Sequence, residues 1–434
     1  MLELIVTIPV LLIWLALGSA WISRQPAAER NLLWWCLAAH LASSIGIIVV
    51  TDLYYGGGDM ISYGAIGRFF ADRLRADFLD FAPDLLGVVF QQTRPFPLPG
   101  AQVGSNTGSM QALSGFAMFF FNDSLYATCV MIAGLNFFAK VAVFRAFRRQ
   151  MPDLPLRALA IPCLLVPSAV FWSSGLLKES VAVIGLGLMV YGGTQLGLML
   201  RPLGGSLMLV AGAVIVFLIK GYLLPPFGIG AGLWFVSRSV QRQGRGIVLR
   251  TRHIVLGAVI AVGLVVGTGL YLPQFSPETF ADEARAAQDI GARMDATSNY
   301  SLGGGSIASQ LPLAIITVFF RPALVESTSL MIALNALEMT WFTVLAWFAI
   351  VRNSPRTLLT SIISRPPVAF CFGFAITLAI GVGLTTVNLG TLSRYRMPLM
   401  PFYAVLLFVL SQRPETANAK ETSGVVNGQL PNLV

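Results

Sequence analysis

Lys178 and Glu179 stand side by side in FWSSGLLKES, residues 171–180, between two long apolar runs. A helix that only anchors a chain has no use for such a pair. The macrodipole favours a Glu in the first turn of a helix, and a Lys at a helix end can snorkel to the polar interface. Neither effect calls for the small, polar WSSG turn ahead of them, or for the break that Pro167 and Ser168 start. A Lys beside a helix N-terminus makes an anion site.

Four other stretches place charge in a similar setting. In YYGGGDMISYGAIGRFFADR, residues 54–73, three glycines precede Asp59, with Tyr63 four residues on and Arg68 beyond. Glycines let a backbone turn sharply or approach a ligand closely. A carboxylate at that depth, tuned by partial burial and a nearby arginine, can act as a general base or simply cap the next helix. Lys220 opens the tight turn GYLLPPFG, which reads best as a structural hairpin. In residues 299–327, a short apolar helix ends in Phe320-Arg321-Pro322, with Glu326 close by; Glu338 follows and is expected inside the bundle near an arginine. Finally, NLGTLSRYRMPLMP sets Arg394 and Arg396 around Tyr395. Arginine grips phosphate bidentately and keeps its charge.

The elements that must position these residues are membrane helices. Hydrophobic residues make up 56% of the chain and charged ones 11%, against about 25% charged in a soluble domain. The apolar runs are continuous, so the fold class is an all-α polytopic membrane bundle, not a barrel. Expected spans are 2–22, 32–54, 124–144, 155–172, 179–200, 203–219, 222–237, 254–272, 328–351, 367–386 and 398–412, about eleven helices of membrane length. The first lacks a basic stretch ahead of it and reads as a retained helix, not a leader.

RAFRRQ, SRSVQRQGRGIVLRTRH and RNSPRTLLTSIISR are rich in arginine and nearly free of acids. The positive-inside rule puts them in the cytoplasm, with the N-terminus periplasmic and the C-terminus cytoplasmic, in a bacterial inner membrane. The charge of +9 then serves topology and anionic lipids, not nucleic acid. Two short runs, 110–121 and 311–320, read as interfacial or re-entrant helices within two large outer loops, about 55–123 and 273–327. The membrane domain is expected to cover 1–412, and the polar tail 413–434 to be disordered. Cys36, Cys129, Cys163 and Cys371 fall singly in apolar runs and pack the core.

All five charged stretches fall on the outer side. Together they offer a carboxylate at the membrane surface and cations at the same level. That suits a substrate with its charged head at the interface and its tail in lipid, such as a polyprenyl phosphate carrying a sugar. A carboxylate would deprotonate the acceptor hydroxyl, and arginine would stabilise the phosphate leaving group. Cytoplasmic nucleotide-sugars could not reach the site. No cofactor is legible. Asp59 with a donor phosphate could hold a divalent cation such as magnesium, and no other metal site can be read, since His40 and His253 lie within or at the inner end of spans.

The order and sidedness of GGGDMISY, PSAVFWSSGLLKES, GGGSIASQLPLAIITVFFRPALVE with ALE at 336–338, and GTLSRYRMP resemble bacterial integral-membrane glycosyltransferases of the GT-C type and related surface-polysaccharide proteins. The resemblance implies transfer of a sugar from a polyprenyl-phosphate donor to a glycan or lipid acceptor in the periplasm. Asp59 matches the catalytic acid of the first outer loop. The phosphate ligands map onto Arg394 and Arg396, then Lys178 and Arg321, with Tyr63 and Arg68 beside Asp59 and Glu179, Glu326 and Glu338 in support. The chain departs from the pattern in having a single Asp59 after the second span, where these enzymes often carry a pair after the first. Two readings stay open beside it: a Wzy-like polysaccharide polymerase using pyrophosphate-linked substrates, and a lipid-linked sugar transporter or flippase. One site is expected to unite Lys178, Glu179, Asp59 and the Arg394–Arg396 pair.

Overall fold

A computed structural model describes residues 2–93, 101–241, 282, 284–286, 288–290, 298–303 and 306–412. Among them every regular element is helical, and one isolated bridge joins Asn299 to Asn388. Seven helical stretches are long and apolar enough to cross a membrane. The expected span 254–272, residues 273–281 and 291–297 of the loop 273–327, and the tail 413–434 lie outside the described residues.

The chain begins with α1 (Leu2–Ile22) and α2 (Ala27–Val49), the latter ending in a π-turn over Val50–Tyr54. The expected outer loop 55–123 is itself helical: α3 (Asp59–Ala76), α4 (Phe78–Val89) and α5 (Asn106–Phe120). α5 contains the short run expected to lie at the interface, yet Met110, Ala112, Ser114 and Met118 are buried. It packs so tightly on α3 that a Cβ at Gly67 would sit 2.9 Å from the Ser114 carbonyl oxygen.

α6 (Leu125–Gln150) runs through the middle; 78% of its most apolar stretch is buried. Ser124 caps it, accepting from the Ala127 amide. The segment expected to cross as one helix over 155–172 is instead two short helices, α7 (Leu156–Leu164) and α8 (Pro167–Trp172). Pro167 forces the break. It offers no amide to continue the ladder and pushes Val166 into an extended conformation.

α9 (Lys178–Gly197) and α10 (Pro202–Lys220) form an antiparallel pair. Glycines bring their backbones together: a Cβ at Gly212 would lie 2.5 Å from the Gly185 oxygen, and one at Gly192 lies 2.6 Å from the Gly205 oxygen. In lipid, where apolar burial does not drive association, such close backbone contact does. Its consequence is local: the start of α9 lies beside the end of α10. A 3-10 turn over Gly221–Leu223 then leads into α11 (Leu224–Gln241), so the two helices expected here are both present.

Further along the chain come α12 (Ile307–Phe320), α13 (Leu330–Arg352), α14 (Pro355–Ser364) and α15 (Pro366–Thr385). α16 (Leu389–Tyr395) is short and capped by Asn388, which accepts from the Thr391 amide. A 3-10 turn over Met397–Leu399 joins it to α17 (Met400–Ser411). Asn388 Nδ2 also reaches Ser298 and Asn299, and Leu389 N donates to the Ser298 carbonyl, so α16 is tied at its start. The main core is aromatic and aliphatic, with Phe137, Phe144, Phe374 and Val405 fully buried. All four cysteines are free and buried there or beside it.

Candidate functional site

Four helices and a turn bring charged and phenolic side chains to a cavity of about 530 Å³. The start of α9 supplies Lys178 and Glu179, the end of α10 supplies Lys220, and the following turn supplies Tyr222. The start of α3 supplies Asp59, and the end of α16 supplies Arg394 and Tyr395. Leu378, Gly381 and Thr385 of α15, with Pro225 and Pro226 of α11, make the less polar wall.

The glycine run sets Asp59 in place. Gly56, Gly57 and Gly58 have φ of 65°, 150° and 133°, a region side chains rarely adopt, so the chain can leave α2 and start α3 within a few residues. Asp59 Oδ2 then accepts from Arg394 Nη2 at 2.7 Å. The same Nη2 donates to Glu179 Oε2 at 3.1 Å, and Arg394 Nε lies 3.0 Å from Glu179 Oε1, an ion-pair contact outside hydrogen-bond geometry. Lys220 Nζ donates to Glu179 Oε1 at 2.8 Å and to the Tyr222 hydroxyl at 2.9 Å, and lies 5.0 Å from the Tyr395 ring centre. The result is a continuous chain, Asp59–Arg394–Glu179–Lys220–Tyr222.

Magnitudes separate its two ends. The Glu179 and Lys220 side chains are 1% and 5% exposed. Breaking a buried pair costs about 3–5 kcal/mol, because the remaining charge is stranded. The Asp59 side chain is 55% exposed, and an exposed pair is worth about 0–1 kcal/mol. Glu179–Lys220 is therefore a structural strut, while Asp59 can leave Arg394 at little cost. Burial opposes the charge on Arg394, but the Glu179 and Asp59 carboxylates outweigh it and raise its pKa above the ordinary value.

Lys178 differs from the other cations. Its Nζ donates to Thr107 Oγ1 at 2.7 Å and Asn106 Oδ1 at 3.4 Å, at the start of α5, and it has no carboxylate ion-pair partner among the described residues. It opens a helix whose N-cap, Leu177, offers no side-chain cap. The cavity thus holds three cations, Lys178, Lys220 and Arg394, against two carboxylates, Asp59 and Glu179. Among the described residues no cluster of His, Cys, Asp or Glu could hold a metal. Asp59 and Glu179 already share the Arg394 guanidinium.

The other residues singled out in the sequence lie elsewhere. Arg396 is a correction: it is fully buried, and its guanidinium donates to the carbonyls of Val318 and Arg321 and to Asn335 Oδ1. Two residues along a tight turn are enough to put it on the opposite side from Arg394. Burial lowers its pKa to about 10. Arg321 pairs with Glu326 through Nε at 2.8 Å and stacks over the Tyr300 ring at 4.6 Å. Arg68 faces Glu3 and the Asp123 carbonyl at the surface. Tyr63 is buried behind Asp59, and burial followed by the Asp59 charge pushes its phenol up. Glu338 lines a different cavity, where it accepts from Ser168 N at 2.9 Å and Ser168 Oγ at 2.8 Å. Lys220 and Tyr222 were the residues missed. A lysine closing a long apolar helix signals a buried counter-charge, and the adjacent prolines masked it as a hairpin.

The chain matches no protein-family model, no curated protein and no solved structure.

Proposed function

We propose that the charged cavity binds the phosphate of a membrane-embedded polyprenyl-phosphate sugar, and that the protein transfers that sugar to a glycan or lipid acceptor. The observation that carries this reading is Lys178: a cation with no carboxylate ion pair among the described residues, at an uncapped helix N-terminus, across a cavity from Arg394. Such a cluster favours an anion. In the proposed reaction the acceptor hydroxyl attacks the sugar's anomeric carbon and Asp59 takes its proton. The bond from that carbon to the phosphate oxygen breaks, and the lipid phosphate leaves toward Lys178 and Arg394. The full arrangement is about eleven spans in a bacterial inner membrane, with the N-terminus and this cavity periplasmic and the C-terminus cytoplasmic. The charge asymmetry of the loops supports that sidedness.

Proteoliposomes given labelled polyprenyl-monophosphate sugars and membrane acceptors test the reading. Wild type transfers; Asp59→Asn loses about 10²–10⁴-fold in rate, the usual worth of a positioned base. If wild type transfers from no monophosphate donor yet lengthens a pyrophosphate-linked oligosaccharide, the protein is a polymerase and Asp59 has no such role. If neither occurs and labelled lipid moves between leaflets, it is a flippase.

A further inference from the structure

A second and larger cavity, about 920 Å³, lies on the other side of α16. α2, α7, α8, α13 and α16 surround it. Leu389, Gly390 and Ser393 of α16 face it, while the next two residues, Arg394 and Tyr395, face the charged cavity. The chain also passes between the two: Tyr55 lines the larger cavity and Asp59 the charged one.

The two cavities differ in chemistry. Among the described residues no lysine or arginine lines the larger one. Its polar groups are Ser43, Tyr55, Ser168, Asn335, Glu338 and Ser393. The Glu338 oxygens each accept one bond from Ser168, and a carboxylate oxygen has room for another. Its side walls open through helices of spanning length: Leu334, Leu337 and Trp341 of α13 are 53%, 57% and 45% exposed. On an apolar helix such faces meet lipid chains. A phosphate head placed here would meet the Glu338 carboxylate, while Arg396 and Lys140, the cations that act on Glu338, do not line the cavity and are bonded to Asn335 and the Ala169 carbonyl. A hydroxyl head would find acceptors.

We propose that this cavity is a site for a neutral, hydroxyl-bearing lipid entering sideways from the bilayer. Its chains lie along α2 and α13, and its polar end meets Ser168, Asn335 and Glu338. The inference rests on the transferase reading and names its acceptor as a lipid alcohol or neutral glycolipid. One lipid-phosphate donor and one neutral lipid then flank α16.

Photolabelling of the full chain in liposomes tests it. The probes are a diazirine-tailed monoglucosyl diacylglycerol and a phosphatidylglycerol with identical chains. The glucolipid should label Leu334, Leu337 and Trp341 about tenfold more than phosphatidylglycerol does, the worth of one hydrogen bond to a charged acceptor. Ala42→Trp fills the cavity from an exposed position and should remove that labelling with the thermal midpoint unchanged. Glu338→Gln should narrow the preference. Equal labelling by both lipids, or adducts spread equally over Leu203, Leu207 and Val210 of α10, overturns the proposal. Geranyl phosphate binding, measured on the same preparation, separates the two readings. Its retention with unselective labelling rejects the second site alone. Its loss with selective labelling rejects the phosphate pocket and leaves the neutral-lipid site supported.

Discussion

Arg394 and Arg396 sit two residues apart, and the protein uses them in opposite ways. Arg394 reaches a cavity, holds an exposed Asp59 and a buried Glu179, and keeps 20% of its side chain open. Arg396 is sealed among backbone carbonyls and Asn335, with nothing exposed. One can exchange a partner for a ligand. The other ties α12 and α13 to the turn before α17, and any ligand reaching it would have to unfold that joint. The lesson is that an arginine's capacity for anions depends on whether its present partners can be released cheaply.

The comparison can be broken or sharpened by mutation. The largest effect is expected at the strut beneath Arg394. Glu179→Leu should cost about 3–5 kcal/mol by stranding the buried Lys220, while Arg394 keeps Asp59, and a double variant with Lys220→Met should recover most of it. Thermal unfolding in detergent reads this; full additivity of the two losses would show that the pair is not a unit. Next comes Arg396→Met, which leaves two carbonyls and an amide oxygen without their charged donor. A loss of about 3 kcal/mol or more is expected, with phosphate affinity unchanged in the folded fraction. Arg394→Gln should do the reverse, costing about 1 kcal/mol or less through the exposed Asp59 contact plus a further share through Glu179, while weakening anion binding about tenfold or more.

A smaller effect concerns pH. The hydrogen bond from Arg321 holds the Glu326 carboxyl below its ordinary value of 4.5, against the opposing effect of burial. A depressed folded pKa means stability that is present above pH 4.5 and fades as pH falls through the folded value. Glu326→Gln should therefore lower the thermal midpoint at pH 7 and approach wild type in strong acid. A constant gap at all pH values would remove the linkage. The smallest effect is at Arg68→Ala, where an exposed pair with Glu3 is worth about 0–1 kcal/mol and no activity should change.

Much of this site could be read from residue order. The GGGD run, the polar turn before Lys178 and the arginine ahead of the last helix each signalled a break near a membrane surface, and the structure brings Asp59, Lys178, Glu179 and Arg394 into one cavity. What could not be read was side. Arg394 and Arg396 have the same type and neighbourhood, and only the turn between α16 and α17 separates them. Lys220 was hidden for a related reason: its partner Glu179 lies on the preceding helix, and the glycine contacts that align the two helices depend on packing. The helix break at Val166 was signalled by Pro167, but an apolar run of that length still reads as one span.

The most direct test of the central claim is equilibrium binding of geranyl phosphate to the protein in nanodiscs. Wild type should bind, and Lys178→Met and Arg394→Gln should each weaken binding about tenfold or more, while Arg68→Ala leaves it unchanged. Equal affinity across all four proteins would contradict the assignment of this cavity as a lipid-phosphate site.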